Sequence, residues 1–210
     1  GSEAMRQFLL TQRENYDFLL FLPGYDLNFV IIGLLFYEEN EENGGDTMGM
    51  QYLGHLPESD PLFGYLKYDI QPQLGSRGRV SYRVFKLNGS NDVYLYEERN
   101  SGVRMIGKFF LSARESNREI AARRLTRECH HLALMRSYGF AGSPHYVARP
   151  LGCNASLNQL LVVEYCGGEL LSQIIGRAIW KHDDGLLFGK LTALAYFLAT
   201  FHNRTAAPYR

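Results

Sequence analysis

Apolar and polar residues alternate most clearly in the middle of the chain. Three short runs joined by polar turns predict β-strands at Tyr82–Leu87, Val93–Glu98 and Val103–Leu111. Two more strands are predicted at His145–Leu151 and Gln159–Tyr165, after an intervening helix. Because strands and helices segregate along the chain, the pattern predicts an α+β fold rather than an alternating parallel sheet.

A long helix is predicted between the third and fourth strands. It begins at the capping-box spacing of Ser116 and Glu119, runs to about Ser137 and stops at Gly139. Steps of three and four define a core-facing stripe in which Glu128 is the polar member, and its apolar members are Ala121, Leu125, Leu132 and Met135. Shorter and longer helices follow at Leu170–Ile175 and from Leu187 to His202.

The carboxylate of Glu128 needs a cation if its stripe is buried, and Lys108 is the nearest candidate upstream. Strand alternation places Lys108 on one face with Ile106 and Phe110. The alternatives are a lysine that reaches water from an edge strand, and a stripe shifted by one residue that leaves Glu128 in solvent. We expect the ion pair.

Residues 1–78 contain no motif of known chemistry and are predicted to be an N-terminal extension. They hold 12 acidic and 4 basic side chains, whereas the remaining residues hold 10 acidic and 18 basic ones. Such opposite charges favour a contact between the two segments, and a basic body suits a polyanionic ligand such as a nucleotide; solvated mixed faces are the alternative. Gln71-Pro72 and the stretch from Gly75 to Gly78 predict a linker.

No membrane span is predicted, because the longest apolar run (Phe29–Tyr37) has nine residues and a spanning helix needs about 20. The odd cysteine count (Cys129, Cys153 and Cys166) and the lack of metal-ligand spacing predict reduced thiols in a cytoplasmic protein. Neither a membrane nor a nucleic acid is an expected partner.

An ordered set of motifs resembles the N-terminal lobe of the protein-kinase-like superfamily. It consists of a Gly89-Ser90 turn, the strand residue Lys108, the helix residue Glu128 and a hinge of sequence Glu-Tyr-Cys-Gly-Gly-Glu at residues 164–169. The short turn is similar to the loop of aminoglycoside phosphotransferases. The resemblance covers roughly residues 80–205 and implies a five-stranded antiparallel sheet with one long helix in residues 79–165. Residues 166–210 would then be the hinge and the start of a helical lobe.

The resemblance also implies an ATP site. Gly89 and Ser90 would cover the phosphates, while Lys108 would contact the α- and β-phosphates and pair with Glu128. The residues implied around the adenine and ribose are Val93 and Ile106 as the roof, Val163 as the gatekeeper, the Glu164 carbonyl and Cys166 amide at the ring edge, and Glu169 at the ribose.

The residues that transfer phosphate in this superfamily are not found in the sequence. A His-Gly-Asp or His-Arg-Asp loop would follow His202, and Asp183-Asp184 lies before the last helix rather than after it. We therefore expect the nucleotide-binding portion of a phosphotransferase, inactive alone, whose parent enzyme uses Mg²⁺ and a small hydroxylated acceptor. The alternatives are a non-catalytic binding or scaffold module and an unrelated α+β domain.

Overall fold

The fold is mixed α+β, as predicted. The computed structural model describes residues 50–75, 78–87, 92–112, 116–168, 171–181 and 184–206, which contain one six-stranded antiparallel sheet, a two-stranded hairpin and four helices. The strands of the main sheet are β1 (Met50–His55), β2 (Tyr82–Leu87), β3 (Asp92–Glu98), β4 (Arg104–Phe109), β7 (Pro150–Asn154) and β8 (Leu160–Glu164). Their order across the sheet is β1-β2-β3-β4-β8-β7.

The sheet has one strand more than predicted, because β1 comes from the segment that was assigned to the N-terminal extension. Most β1 side chains are exposed, so the strand carries no apolar alternation that would reveal it. Its pairing with β2 shifts register between Tyr52 and Gly54, and Gly54 has a positive φ of 122°. The strand predicted at His145–Leu151 is interrupted: β5 (Ala141–Gly142) and β6 (His145–Tyr146) form the separate hairpin.

A helical segment covers one face of the sheet where a linker was partly predicted. Helix α1 (Pro61–Tyr65) begins at Asp60, whose carboxylate accepts the Leu62 amide at 2.8 Å, and irregular helical turns continue from Leu66 to Leu74. The proposed linker residue Gln71 is buried and accepts a hydrogen bond from the Tyr82 hydroxyl. The buried core between this segment and the sheet consists of Leu62, Phe63, Leu66, Ile70, Val80, Tyr82, Tyr96, Met105, Leu151, Leu160 and Val162.

Helix α2 (Arg118–Ser137) packs on the face of the sheet opposite to α1 and carries the predicted stripe. Its N-cap is Asn117, whose side chain accepts the amides of Glu119 and Ile120 at 3.0 and 3.1 Å, so the capping box predicted from Ser116 was wrong by one residue. All five predicted stripe positions are buried, which confirms the phase of the helix. The helix ends before Gly139, which has a φ of 91°.

Two helices end the described part of the chain, and both are longer than predicted. They are α3 (Leu171–Lys181) and α4 (Asp184–Thr205). Phe197 of α4 is buried against Phe140, with ring centroids 5.1 Å apart, and Arg204 donates to the Tyr138 carbonyl at 2.9 Å. Helix α4 is thus anchored to the turn that follows α2.

By length and composition alone, α4 is also able to cross a membrane, since Gly185–Thr205 has 21 residues and contains an 18-residue stretch with a mean hydropathy of 1.2. The prediction that no stretch of the chain is long enough was therefore wrong, because it considered only the uninterrupted apolar run near residue 30. Where the protein resides stays a prediction.

Candidate functional site

The strand register brings four of the predicted site residues to one face of the sheet. Val93 of β3 is paired with Lys108 of β4, and Ile106 of β4 is paired with Val163 of β8. Residues directly opposite each other in antiparallel strands share a face, as do residues two apart in one strand. We call this the site face; it is opposite to the face covered by α1.

Helix α2 lies over the site face and supplies the carboxylate. The Lys108 ammonium donates to both carboxylate oxygens of Glu128, at 3.0 and 2.8 Å. Both residues are buried, with exposed fractions of 5% for Lys108 and 2% for Glu128. The predicted ion pair is therefore present, and the two alternatives that left either residue in solvent were wrong.

The surroundings of the ion pair are largely apolar. Burial raises the pKa of Glu128, and the adjacent Lys108 ammonium opposes that rise without cancelling it. The ammonium also lies 4.7 Å from the centre of the Phe110 ring, a cation–π distance. Ile106 and Val163 are both buried beside it, with exposed fractions of 6% and 4%. A charged pair thus adjoins an apolar strip on one face.

The predicted hinge begins at Glu164, where β8 ends. The Glu164 carboxylate accepts hydrogen bonds from the Tyr146 hydroxyl and the Arg149 amide, and the Arg136 guanidinium lies 3.5 Å away. Arg136 extends from the last turn of α2, so this network connects the helix to the hinge. The sequence offered no signal for Arg136 or Tyr146, because their relation to Glu164 depends on the path of the chain between residues 138 and 150.

Cys166 lies in the segment between β8 and α3. The predicted contact of its amide with a ring edge stays a prediction. Burial, with a smaller contribution from the Glu164 carboxylate, raises the pKa of the Cys166 thiol to about 11. At neutral pH this cysteine is therefore a protonated, weakly nucleophilic thiol.

Three predicted site residues lie outside the described residues. They are Gly89 and Ser90 of the predicted phosphate loop and Glu169 of the predicted hinge. The assigned roles of these three residues stay predictions.

The other two cysteines are joined by a disulfide, so the prediction of reduced thiols was wrong for them. Cys129 of α2 bonds to Cys153 of β7, with Cα atoms 6.7 Å apart. The 24-residue separation has no diagnostic pattern, and the pairing depends on the way that α2 crosses the sheet. Cys166 is a free thiol.

Comparisons with known proteins leave the site to be interpreted from its own geometry. No protein family, curated protein or solved structure matches the chain.

Proposed function

We propose that this chain binds a nucleoside triphosphate on the site face, as the nucleotide-binding portion of an ATP-dependent, kinase-like phosphotransferase. The observation that carries this proposal is the buried, two-point ion pair between Lys108 and Glu128. It holds an ammonium in a fixed position opposite Val93 of β3, the strand that follows the proposed phosphate loop along the chain, as kinase-like phosphoryl transfer requires.

A structural role alone is a weak explanation for this pair. Replacing a buried ion pair with apolar residues of similar volume is often neutral or stabilising, because removing two charges from water is costly. The pKa of Glu128 is raised by its burial, which is a sign of that cost. A fixed cation that an anionic ligand can contact gives the pair a function.

The apolar strip next to Lys108 fits a purine. Val93 lies opposite Lys108, and Ile106 and Val163 lie opposite each other on the adjoining strands, so the apolar side chains continue from the ammonium toward the hinge. The Cys166 amide would donate to the ring edge beyond them. Gly89 and Ser90 would cover the phosphates, and Glu169 would contact the ribose.

Bound ATP with Mg²⁺ supplies the phosphoryl group and the charge neutralisation for its transfer. The residues described above bind and orient, and none of them is assigned a proton-transfer step. The acceptor in the intact enzyme is proposed to be a small hydroxylated molecule.

A thermal-shift titration tests nucleotide binding. ATP with Mg²⁺ at 100 times its Kd should stabilise the wild-type chain by about 2.7 kcal/mol, or roughly 5–10 °C for a chain of this size. The double variant Lys108→Met/Glu128→Leu removes both charges together, so it should stay folded and lose the shift. Lys67→Met is the matched control, because Lys67 lies in the helical segment on the opposite side of the sheet and should leave the shift intact. A folded wild type without any shift would overturn the proposal.

A non-catalytic interaction module is the second candidate. It is favoured by three aromatic side chains that are exposed on α3 and α4: Trp180 at 75%, Phe188 at 65% and Tyr196 at 68%. Large exposed aromatic residues are typical of surfaces that bind another protein. A folded chain that binds no nucleotide would favour this candidate over the first.

A further inference from the structure

Two neighbouring residues of α2 fasten the helix to two different strands. Glu128 is bound to Lys108 of β4, and Cys129 is bonded to Cys153 of β7. We propose that the Cys129–Cys153 disulfide is a reversible thiol–disulfide exchange site, and that its oxidised form holds Glu128 against Lys108. The expected effect on nucleotide affinity rests on the proposed function, whereas the effect on the ion pair does not.

The strand register places both attachment points in one row. Lys108 is paired with Leu161, and Leu161 is paired with Cys153, so the row crosses β4, β8 and β7 on the site face. Neighbouring strands are about 4.8 Å apart, which separates Lys108 from Cys153 by roughly 10 Å. That spacing is about the diameter of a helix, so the two bonds hold α2 on both of its flanks.

The disulfide contributes what the ion pair lacks. Burial raises the pKa of Glu128, so the charged carboxylate is less stable in this buried position than it would be in water. The covalent bond at the neighbouring residue Cys129 restricts the rotation of α2 about its own axis that would carry Glu128 into solvent. After reduction, only the apolar stripe of α2 would hold the helix against that rotation.

The bond is open to exchange. Cys153 is exposed and Cys129 is half-buried, so a reductant reaches the Cys153 sulfur first. In a balanced exchange, a thiolate of a dithiol reductant attacks Cys153 Sγ, and Cys129 leaves as a thiolate and takes up a proton. The second thiol of the reductant then attacks the mixed disulfide, which releases Cys153 as a thiol and leaves the reductant oxidised by two electrons.

The test compares oxidised chain, chain treated with dithiothreitol, and the variant Cys129→Ser/Cys153→Ser. The first measurement is the rate at which an amine-reactive reagent labels Lys108, followed by peptide mass spectrometry with Lys67 as the internal reference. The second is the Kd for ATP with Mg²⁺. Reduction should increase Lys108 labelling and weaken ATP binding by about fivefold or more. The variant should behave as the reduced chain and should not respond to dithiothreitol.

Each outcome decides between the possibilities. If labelling of Lys108 responds to reduction but neither form binds ATP, the exchange site stands and the nucleotide-binding proposal fails. If ATP binds both forms equally and the labelling is unchanged, the exchange site is refuted and nucleotide binding stands. Loss of the circular dichroism of the fold on reduction would show a structural disulfide only and would also refute the proposal, as would free Cys129 and Cys153 thiols in the oxidised chain.

Discussion

The buried ion pair allows a prediction in which two damaging substitutions cancel. Lys108→Met leaves the Glu128 carboxylate buried without this cation, and Glu128→Leu removes the carboxylate that accepts two hydrogen bonds from the buried ammonium. The combined variant replaces the ammonium and the carboxylate together with two apolar side chains of similar size. We therefore expect each single variant to be much less stable than the combined one.

The magnitude follows from the burial and the geometry of the pair. The side chains of Lys108 and Glu128 have exposed fractions of only 6% and 2%, and the contact is made through two hydrogen bonds. Breaking such a pair from one side costs about 3–5 kcal/mol, whereas replacing both partners is near neutral or stabilising. For a chain of this size, each single variant should lose roughly 6–20 °C in Tm, and the double variant should stay within a few degrees of the wild type.

The pH dependence gives a second measurement on the same proteins. The pKa of Glu128 is already raised by burial, and loss of the Lys108 ammonium in Lys108→Met removes the interaction that opposes this rise. An acid with a raised folded pKa carries no penalty below its unfolded pKa; the penalty grows as the pH rises from the unfolded to the folded pKa and is constant above both. The stability gap between wild type and Lys108→Met should therefore be smaller at pH 5 than at pH 8.

Urea unfolding, monitored by circular dichroism, measures all four proteins of this double-mutant cycle. A strong coupling between the two positions is the expected result. Single variants that each cost less than about 1 kcal/mol, with effects that simply add, would refute the reasoning, because that is the behaviour of a solvated surface pair.

Two further predictions concern the sheet. Burial alone would raise the pKa of Glu98, but hydrogen bonds from the Ser101 hydroxyl and from nearby amides outweigh burial and lower the pKa. The stability that Glu98 contributes is therefore present above its unfolded pKa and is lost as the pH falls through its folded pKa. Glu98→Gln should cost about 2–3 kcal/mol in urea unfolding at pH 7 and less near pH 3, and an equal cost at both pH values would contradict this. A Cβ at Gly107 would lie 2.7 Å from Tyr96 Cε2, so Gly107→Ala should cost about 1–3 kcal/mol by the same assay. Its control, Gly176→Ala, has open space in a helix and should gain about 1 kcal/mol; a harmless Gly107→Ala would show that Tyr96 moves aside.

The elements that could be predicted have a regular spacing of apolar residues and one buried face. The stripe of α2 placed Glu128 correctly because four apolar neighbours at helical spacing fix the phase of a helix. Strand alternation then placed Ile106 and Lys108 on the same face. These two local patterns were enough to predict the contact between Lys108 and Glu128.

Other features were missed because their cause lies outside the local pattern. Strand β1 has mostly exposed side chains and is held by backbone pairing with β2, which leaves no periodic signal. The start of α1 did leave a signal in the sequence that the prediction overlooked, since Asp60 is a favourable N-cap and Pro61 stands in the first turn. The partner of Cys129 depends on which strand lies under α2, and that information is in the topology alone.

The contact between Arg204 and the Tyr138 carbonyl has a mechanical consequence. The guanidinium satisfies a carbonyl at the C-terminal end of α2, where the helix dipole is negative, and Phe197 of α4 packs against Phe140 just beyond that end. Because of these contacts, a displacement of the C-terminal end of α2 would also displace α4. A displacement of α2 at Glu128 would in this way reach the exposed Phe188 near the other end of α4.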